Sequence, residues 1–329
     1  MDNATALVRP GIPGRTAAFG IDLGGTKIAA GLVDAAGTVL ASASVPTPAT
    51  AGARAVLDAV ASLVAELSAT EAAARLHLIG LGLGAAGVID PGTAKVLSAT
   101  DTIAGWAGTD LAAELYTRTN LPVRAINDVH AHGLGEAWCG AAAGKANVLL
   151  LAVGTGVGGS HLLRGVPQTG AHHVGGHMGH FASPLATGVP CSCGRTGHLE
   201  AIASGPGIHR NYLRLGGEVS VIDTRELTAR AHAGDRLARQ ALRTGALATG
   251  IAAGSLANIL DPEAIVLSGG MSGAGTLWWD GVREGFAAEA IDPLAHLELL
   301  PAALGNDAAL IGAAGLFLAP TDSKEPSCS

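Results

Sequence analysis

The chain has 329 residues, with 20 Lys and Arg against 27 Asp and Glu and a formal net charge of −7. That acidic balance argues against nucleic acid as a main partner and against an anionic membrane surface. A hydrophobic share of 48% excludes a disordered chain, and the absence of an apolar run of about 18 residues excludes a transmembrane helix.

Residues 1–16 hold Pro and Gly without periodicity and are expected to form a flexible tail. They lack a basic stretch followed by an apolar one, so the cytoplasm is the expected location. AAFGIDLGGTKIAAGLV (17–33) predicts a strand, a Gly turn and a second strand; Asp34–Gly37 predicts a turn and 38–45 a third strand. Residues 51–75 carry Ala, Leu and Val at helical spacing. LHLIGLGLGAAGVID (76–90) predicts a strand running into a Gly-rich loop. A helix is expected over 108–119, a strand over 122–128 and a helix over 129–142. NVLLLAVGTGVGGSHLL (147–163) repeats the strand, Gly turn and strand of 17–33. Residues 170–200 are rich in Gly, His and Cys, 224–258 read as helical, 263–275 as a strand into a Gly turn, and 308–319 as a closing apolar helix. The last ten residues, 320–329, are polar and expected to be a second tail.

Alternating strands and helices with an internal duplication predict two α/β domains facing a cleft. The first is expected over 17–128 with the returning helix near 308–319, the second over 129–307.

Three Gly turns at strand ends carry one chemistry. In Asp22-Leu23-Gly24-Gly25-Thr26-Lys27 the glycines let backbone N–H groups approach phosphate oxygens, Thr26 adds a hydroxyl and Lys27 a charge. Asp22 suits Mg²⁺ held through water, because that ion favours few carboxylates plus phosphates. Gly154-Thr155-Gly156 repeats the turn in the second half, and Gly269-Gly270 follows another strand. An ordinary hairpin turn explains each one separately; one nucleotide held by all three explains them together. Asn127-Asp128 closes a strand. Asp128 there is either a general base or the cap of the next helix.

Of the four cysteines, Cys139, Cys191, Cys193 and Cys328, the middle two stand one residue apart. That spacing suits metal ligation better than a disulfide. With His180 and His198 they give H-x10-C-x-C-x4-H, a set of two thiolates and two imidazoles suited to a structural tetrahedral Zn²⁺. Such an ion would pin the loop carrying His177 and Glu200.

Taken together, GIDLGGTKIAAGLVD, IND, AVGTGVGGSHLL, GHMGH, CSCGRTGHLEAIASGPGI and VLSGGMS resemble the ROK family (repressor, open reading frame, kinase) over about 17–318. The resemblance implies an actin-like (ribonuclease H-like) duplicated fold, a homodimer or homotetramer, and ATP and a sugar bound between the domains. It makes Asp128 the base, Asn127 and Glu200 sugar-binding neighbours, and His180 both a zinc ligand and a sugar contact. Cys191 and Cys193 match the family's zinc cysteines; His198 stands where a third cysteine is usual.

Two departures bear on the substrate. His177 replaces a Glu found in most family kinases, and bacterial N-acetylmannosamine kinases resemble the chain here. A neutral imidazole both donates and accepts, which suits an acyl carbonyl. Thr102 stands at a family Asn near the sugar, and Asp101 beside it suits a charged amine. The sequence therefore predicts an ATP-dependent hexose 6-kinase with Mg²⁺, with N-acetylmannosamine as first substrate. A free amino-hexose such as 3-amino-3-deoxyglucose (kanosamine) comes second and glucose third. A sugar-sensing repressor ranks lower, because about 16 residues before the first strand leave no room for a DNA-binding domain. A zinc-stabilised scaffold leaves Asp22, Asp128 and the Gly turns unexplained.

Overall fold

The computed structural model describes residues 15–320. Most of both expected tails, with Cys328, lies outside the described residues, and Thr16 already opens the first strand. The chain divides into two compact units. The described part of the first runs to Gly135 and takes in Asn306–Pro320; that of the second is Glu136–Gly305.

The first unit opens as a meander of β1 (Thr16–Leu23), β2 (Lys27–Asp34) and β3 (Val39–Pro46). Asp34 makes the turn between β2 and β3. Its Oδ1 accepts from the N–H groups of Ala36 and Thr38, both at 2.9 Å, and Gly37 supplies a φ of +80°. Then follow α1 (Gly52–Ser68), β4 (His77–Ala85), a small ribbon of β5 (Val88–Asp90) and β6 (Lys95–Ser98), α2 (Leu111–Thr119), β7 (Val123–Asn127) and α3 (Asp128–Trp138). The sheet order is β3-β2-β1-β4-β7, with β1 antiparallel to β2 and parallel to β4. β1 is buried on both faces, as a central strand must be. On one side Val56, Val60, Leu63 and Leu67 of α1 pack on Phe19, Ile21, Leu81 and Leu83. On the other lies α9 (Ala308–Leu318), rich in Ala and Gly. A Cβ on Gly20 or Gly82 would stand 1.9 or 1.8 Å from a carbonyl oxygen of α9, so glycine alone permits this approach.

The second unit repeats the plan with β8 (Val148–Val153), β9 (Val157–Leu163) and β10 (Val166–Pro167), then α4 (Glu200–Ala203), α5 (Gly205–Arg214), α6 (Thr224–His232), α7 (Arg236–Leu260), β11 (Ala264–Ser268), α8 (Thr276–Glu289) and β12 (Leu299–Pro301). Its order is β10-β9-β8-β11-β12, with β8 antiparallel to β9 and parallel to β11. Both five-stranded sheets thus share one order and one set of directions, as the repeat in the sequence predicts. The helical run expected over 224–258 is two helices. Gly234, at φ +106°, ends the first, and the Asp235 side chain caps the second by accepting from Leu237 and Ala238 at 2.8 and 3.0 Å. No described helix is long and apolar enough to cross a membrane.

Candidate active site

In the first unit the chemistry gathers at the carboxyl ends of parallel strands. Asp22 is the penultimate residue of β1, Asn127 ends β7 and Asp128 begins α3. Strand β4 lies between them, and its Gly84 lets α3 close in, since a Cβ there would stand 2.7 Å from that of Ala131. The cap of α3 falls to Asn127, whose Oδ1 accepts from the Val129 N–H at 3.0 Å while its Nδ2 donates to the Gly87 carbonyl at 3.0 Å. Asp128 also accepts from the Val129 N–H, at 2.9 Å through Oδ1. Burial, and then the charge of Asp128, push the Asp22 carboxyl up to about 6, with Lys27 pulling the other way.

The turn after Asp22 is closed by a hydrogen bond from Gly24 N to Lys27 O at 3.0 Å and held by Thr47, whose hydroxyl donates to Gly24 O at 2.7 Å. Thr26 and Lys27 are exposed. Neither glycine has a positive φ. Gly25 is required for space: a Cβ would lie 2.5 Å from the Thr102 methyl. That contact brings Thr102, and exposed Asp101 beside it, against the turn. Trp106 anchors the same loop, buried with its ring N–H on the Ala86 carbonyl at 2.9 Å.

In the second unit the Gly154-Thr155-Gly156 turn joins β8 to β9, and Gly269-Gly270 follows β11, the parallel neighbour of β8. The turns meet, since a Cβ on Gly154 would lie 3.6 Å from Gly270 N. Gly269 needs to be glycine twice over, with φ +81° and a would-be Cβ 2.5 Å from Val153 O. Gly154 also accepts from Gly205 N, at the start of α5, at 2.8 Å. Glu200, the first residue of α4, reaches back to this turn: its Oε2 accepts from Val157 N at 2.9 Å, and its Oε1 accepts from the Ser192 hydroxyl. Sequence reasoning missed Ser192. The only available signal was its place between two cysteines.

His180, Cys191, Cys193 and His198 converge, with one ligand atom from each lying within 4.8 Å of the others. Cys191 Sγ is 3.7 Å from His180 Nδ1, and Cys193 Sγ is 3.2 Å from His198 Nδ1. Tetrahedral Zn²⁺ with bonds of about 2.0–2.3 Å sets its ligand atoms roughly 3.3–3.8 Å apart, so the donor types suit that ion and both Cys–His pairs lie near its ligand spacing. Backbone bridges between Ala182 and His198 and between Pro190 and Thr196 fold the loop that presents them. His177 is exposed near this group, its ring centroid 6.3 Å from that of His180. Its Nδ1 sits 2.9 Å from the Val174 carbonyl oxygen. A carbonyl only accepts, so Nδ1 carries the proton, and in the neutral ring the outward Nε2 is an acceptor. The donor role expected of neutral His177 toward an acyl carbonyl is therefore not the one its tautomer offers.

Residues 18–319 match the family model described as the ROK family. The chain is 34% identical to a glucokinase of Halalkalibacterium halodurans, over 93% of this chain and 96% of that one. It is also 34% identical to an N-acetylmannosamine kinase of Shigella boydii, over 89% and 96%. Among solved structures it resembles a ROK family glucokinase from Streptomyces griseus in complex with glucose and AMPPNP. That match has a TM-score of 0.74 and 34% identity over 92% of this chain and 99% of the other.

Proposed function

The chain belongs to the ROK family and is an ATP-dependent sugar phosphotransferase with the duplicated actin-like fold; we propose that it phosphorylates the 6-hydroxyl of a hexose, with Asp128 as the base. The observation that carries this is the pair of carboxylates Asp22, near the end of β1, and Asp128, the first residue after β7, which flank β4 at one end of the sheet, with a Gly turn after Asp22. The Asp128 carboxylate takes the 6-hydroxyl proton as that oxygen bonds to the γ-phosphorus in line, and the bond to the β-phosphate oxygen breaks to release ADP. Gly24, Gly25, Thr26 and Lys27, with Gly154, Thr155, Gly156, Gly269 and Gly270, hold the phosphates. Mg²⁺ supplies charge neutralisation at the phosphates, and Asp22 would hold it through water.

Asn127, His177, His180 and Glu200 orient the sugar, with Thr102 and Asp101 nearby. The set His180, Cys191, Cys193 and His198 takes a structural Zn²⁺ that fixes the loop bearing His177. N-acetylmannosamine is the first candidate, supported by the relative named for that activity and by the resemblance of the GHMGH segment to N-acetylmannosamine kinases. Glucose is the second, favoured by the His177 tautomer, which accepts from a sugar hydroxyl as a Glu would. The protein works in the cytoplasm as a dimer or tetramer.

ADP release with Mg·ATP across N-acetylmannosamine, N-acetylglucosamine, glucose, glucosamine and 3-amino-3-deoxyglucose tests the proposal. The expected result is turnover of one hexose well above the others, led by N-acetylmannosamine. Preference for the 3-amino sugar would move the weight to Asp101. No turnover with any of them would overturn the proposal.

A further inference from the structure

Glu200 is tied at both ends. Its Oε2 accepts from Val157 N at 2.9 Å, immediately after the Gly154–Gly156 turn, and its Oε1 accepts from Ser192 Oγ. The fit against the turn is close: a Cβ on Gly156 would fall 2.8 Å from Glu200 Oε2. The same turn is pinned from its other side by Gly205 N on Gly154 O, and only Ser204, whose extended backbone ends α4 and whose side chain caps α5, separates the two helices. Each carboxylate oxygen has a second lone pair. Glu200 can therefore keep both partners and still accept from a hydroxyl of a bound sugar.

We infer that Ser192 is a positioning residue and that the Ser192–Glu200–Val157 chain of hydrogen bonds couples sugar binding to the shape of the Gly154–Gly156 turn. This rests on the sugar and phosphate roles given above to Glu200 and the turn. The physical reason is that one side chain serves both ligands. A carboxylate free to rotate would lose its bond to Val157, and the turn would lose a hydrogen bond that fixes it from outside. Ser192 prevents the rotation by holding the second oxygen. Coupling of this kind is reciprocal: whatever factor the sugar lends to nucleotide affinity, the nucleotide lends to the sugar.

The experiment has two arms. In the first, amide hydrogen exchange is followed at Gly156 and Val157 in the ligand-free protein, comparing wild type with Ser192→Ala, Ser192→Thr and Glu200→Gln. Exchange at Val157 should quicken roughly threefold to tenfold in Ser192→Ala, the size expected for the net loss of one ordinary hydrogen bond at an exposed position. It should quicken further in Glu200→Gln and return toward wild type in Ser192→Thr, which keeps the hydroxyl. In the second arm, the affinity for Mg·AMPPNP is measured with and without the sugar the wild type turns over. The ratio of the two affinities should shrink toward one in Ser192→Ala and recover in Ser192→Thr, while the kcat of Ser192→Ala stays within about threefold of wild type, because Ser192 touches neither reacting atom.

Unchanged exchange at Val157 in Ser192→Ala, or a threonine variant no better than the alanine one, would overturn the inference. Should the wild type phosphorylate no sugar, the kinase proposal fails by itself, and the exchange arm still decides the tie between Ser192, Glu200 and the turn.

Discussion

At Asp22 burial and the nearby Asp128 hold the carboxyl at about 6, against roughly 3.9 in an unfolded chain. The folded protein therefore binds this proton more tightly than the unfolded one. The stability it contributes is complete below the unfolded value and is lost as pH rises through about 6. Asp22→Asn removes the buried charge, so the ligand-free variant should melt higher than wild type at pH 7–8, by up to about 3 kcal/mol of stability. Its melting profile should also be flatter between about pH 4 and pH 7. Thermal melts across that range check both. Protons compete with the cation at the same carboxylate, so the apparent KM for Mg·ATP in the wild type should rise below about pH 6. Asp128→Asn should lower kcat by about 10²–10⁴-fold with an unchanged circular dichroism spectrum. Turnover near wild type would remove Asp128 from the base role. Residue identities at this scale were legible because they lie in short motifs: His180, Cys191, Cys193 and His198 converge, Asp22 lies near the end of β1 and Asp128 directly follows β7. The tautomer of His177 and the ties of Glu200 were not, because their partners are Val174 O and Val157 N, backbone atoms whose direction only the folded loop decides.

At the scale of elements, the contact of α9 with β1 and β4 depends on missing side chains. Gly82→Ala would bring a Cβ to 1.8 Å from Ala313 O, which is backbone and cannot swing aside. Overpacking of this kind costs typically about 1–3 kcal/mol, and here the upper end or beyond is expected. Gly273→Ala, where a Cβ meets nothing within 4 Å, should stay within about 0.5 kcal/mol of wild type. Urea unfolding of the two variants compares them directly. Strands β1, β4, β8 and β11 could be read from sequence because each is a dense apolar run closed by a Gly turn. The break between α6 and α7 was hidden by apolar residues that keep a helical period across Gly234 and Asp235. α8, with paired tryptophans and internal glycines, and β12, only three residues long, gave no period to read. Gly281 and Gly285 of α8 face Ala246 and the backbone at Leu247 and Ile251 of α7, so its glycines serve close helix packing, a tertiary reason that no local pattern carries.

At the scale of the whole molecule, the duplication decides where the chemistry falls. Two sheets with the same strand order place their Gly turns at equivalent positions, between the first and second strand of each. The second unit adds the cluster of His180, Cys191, Cys193 and His198. Stripping zinc with a strong chelator, or replacing Cys191 by Ser, should lower the melting temperature and weaken sugar binding, because the ion would order the loop on which His177 and Ser192 lie. Equal melting and equal sugar affinity after metal removal, checked by metal analysis of the same sample, would contradict a structural ion. The central claim is that this fold moves the γ-phosphoryl group of ATP to the 6-hydroxyl of a hexose through Asp128. Its most direct test is phosphorus-detected NMR of the product made by wild type and by Asp128→Asn from the same hexose and Mg·ATP. The account predicts a phosphomonoester coupled to the C6 protons with wild type and almost none with the variant. A phosphate on any other carbon, or equal product from the variant, would contradict it.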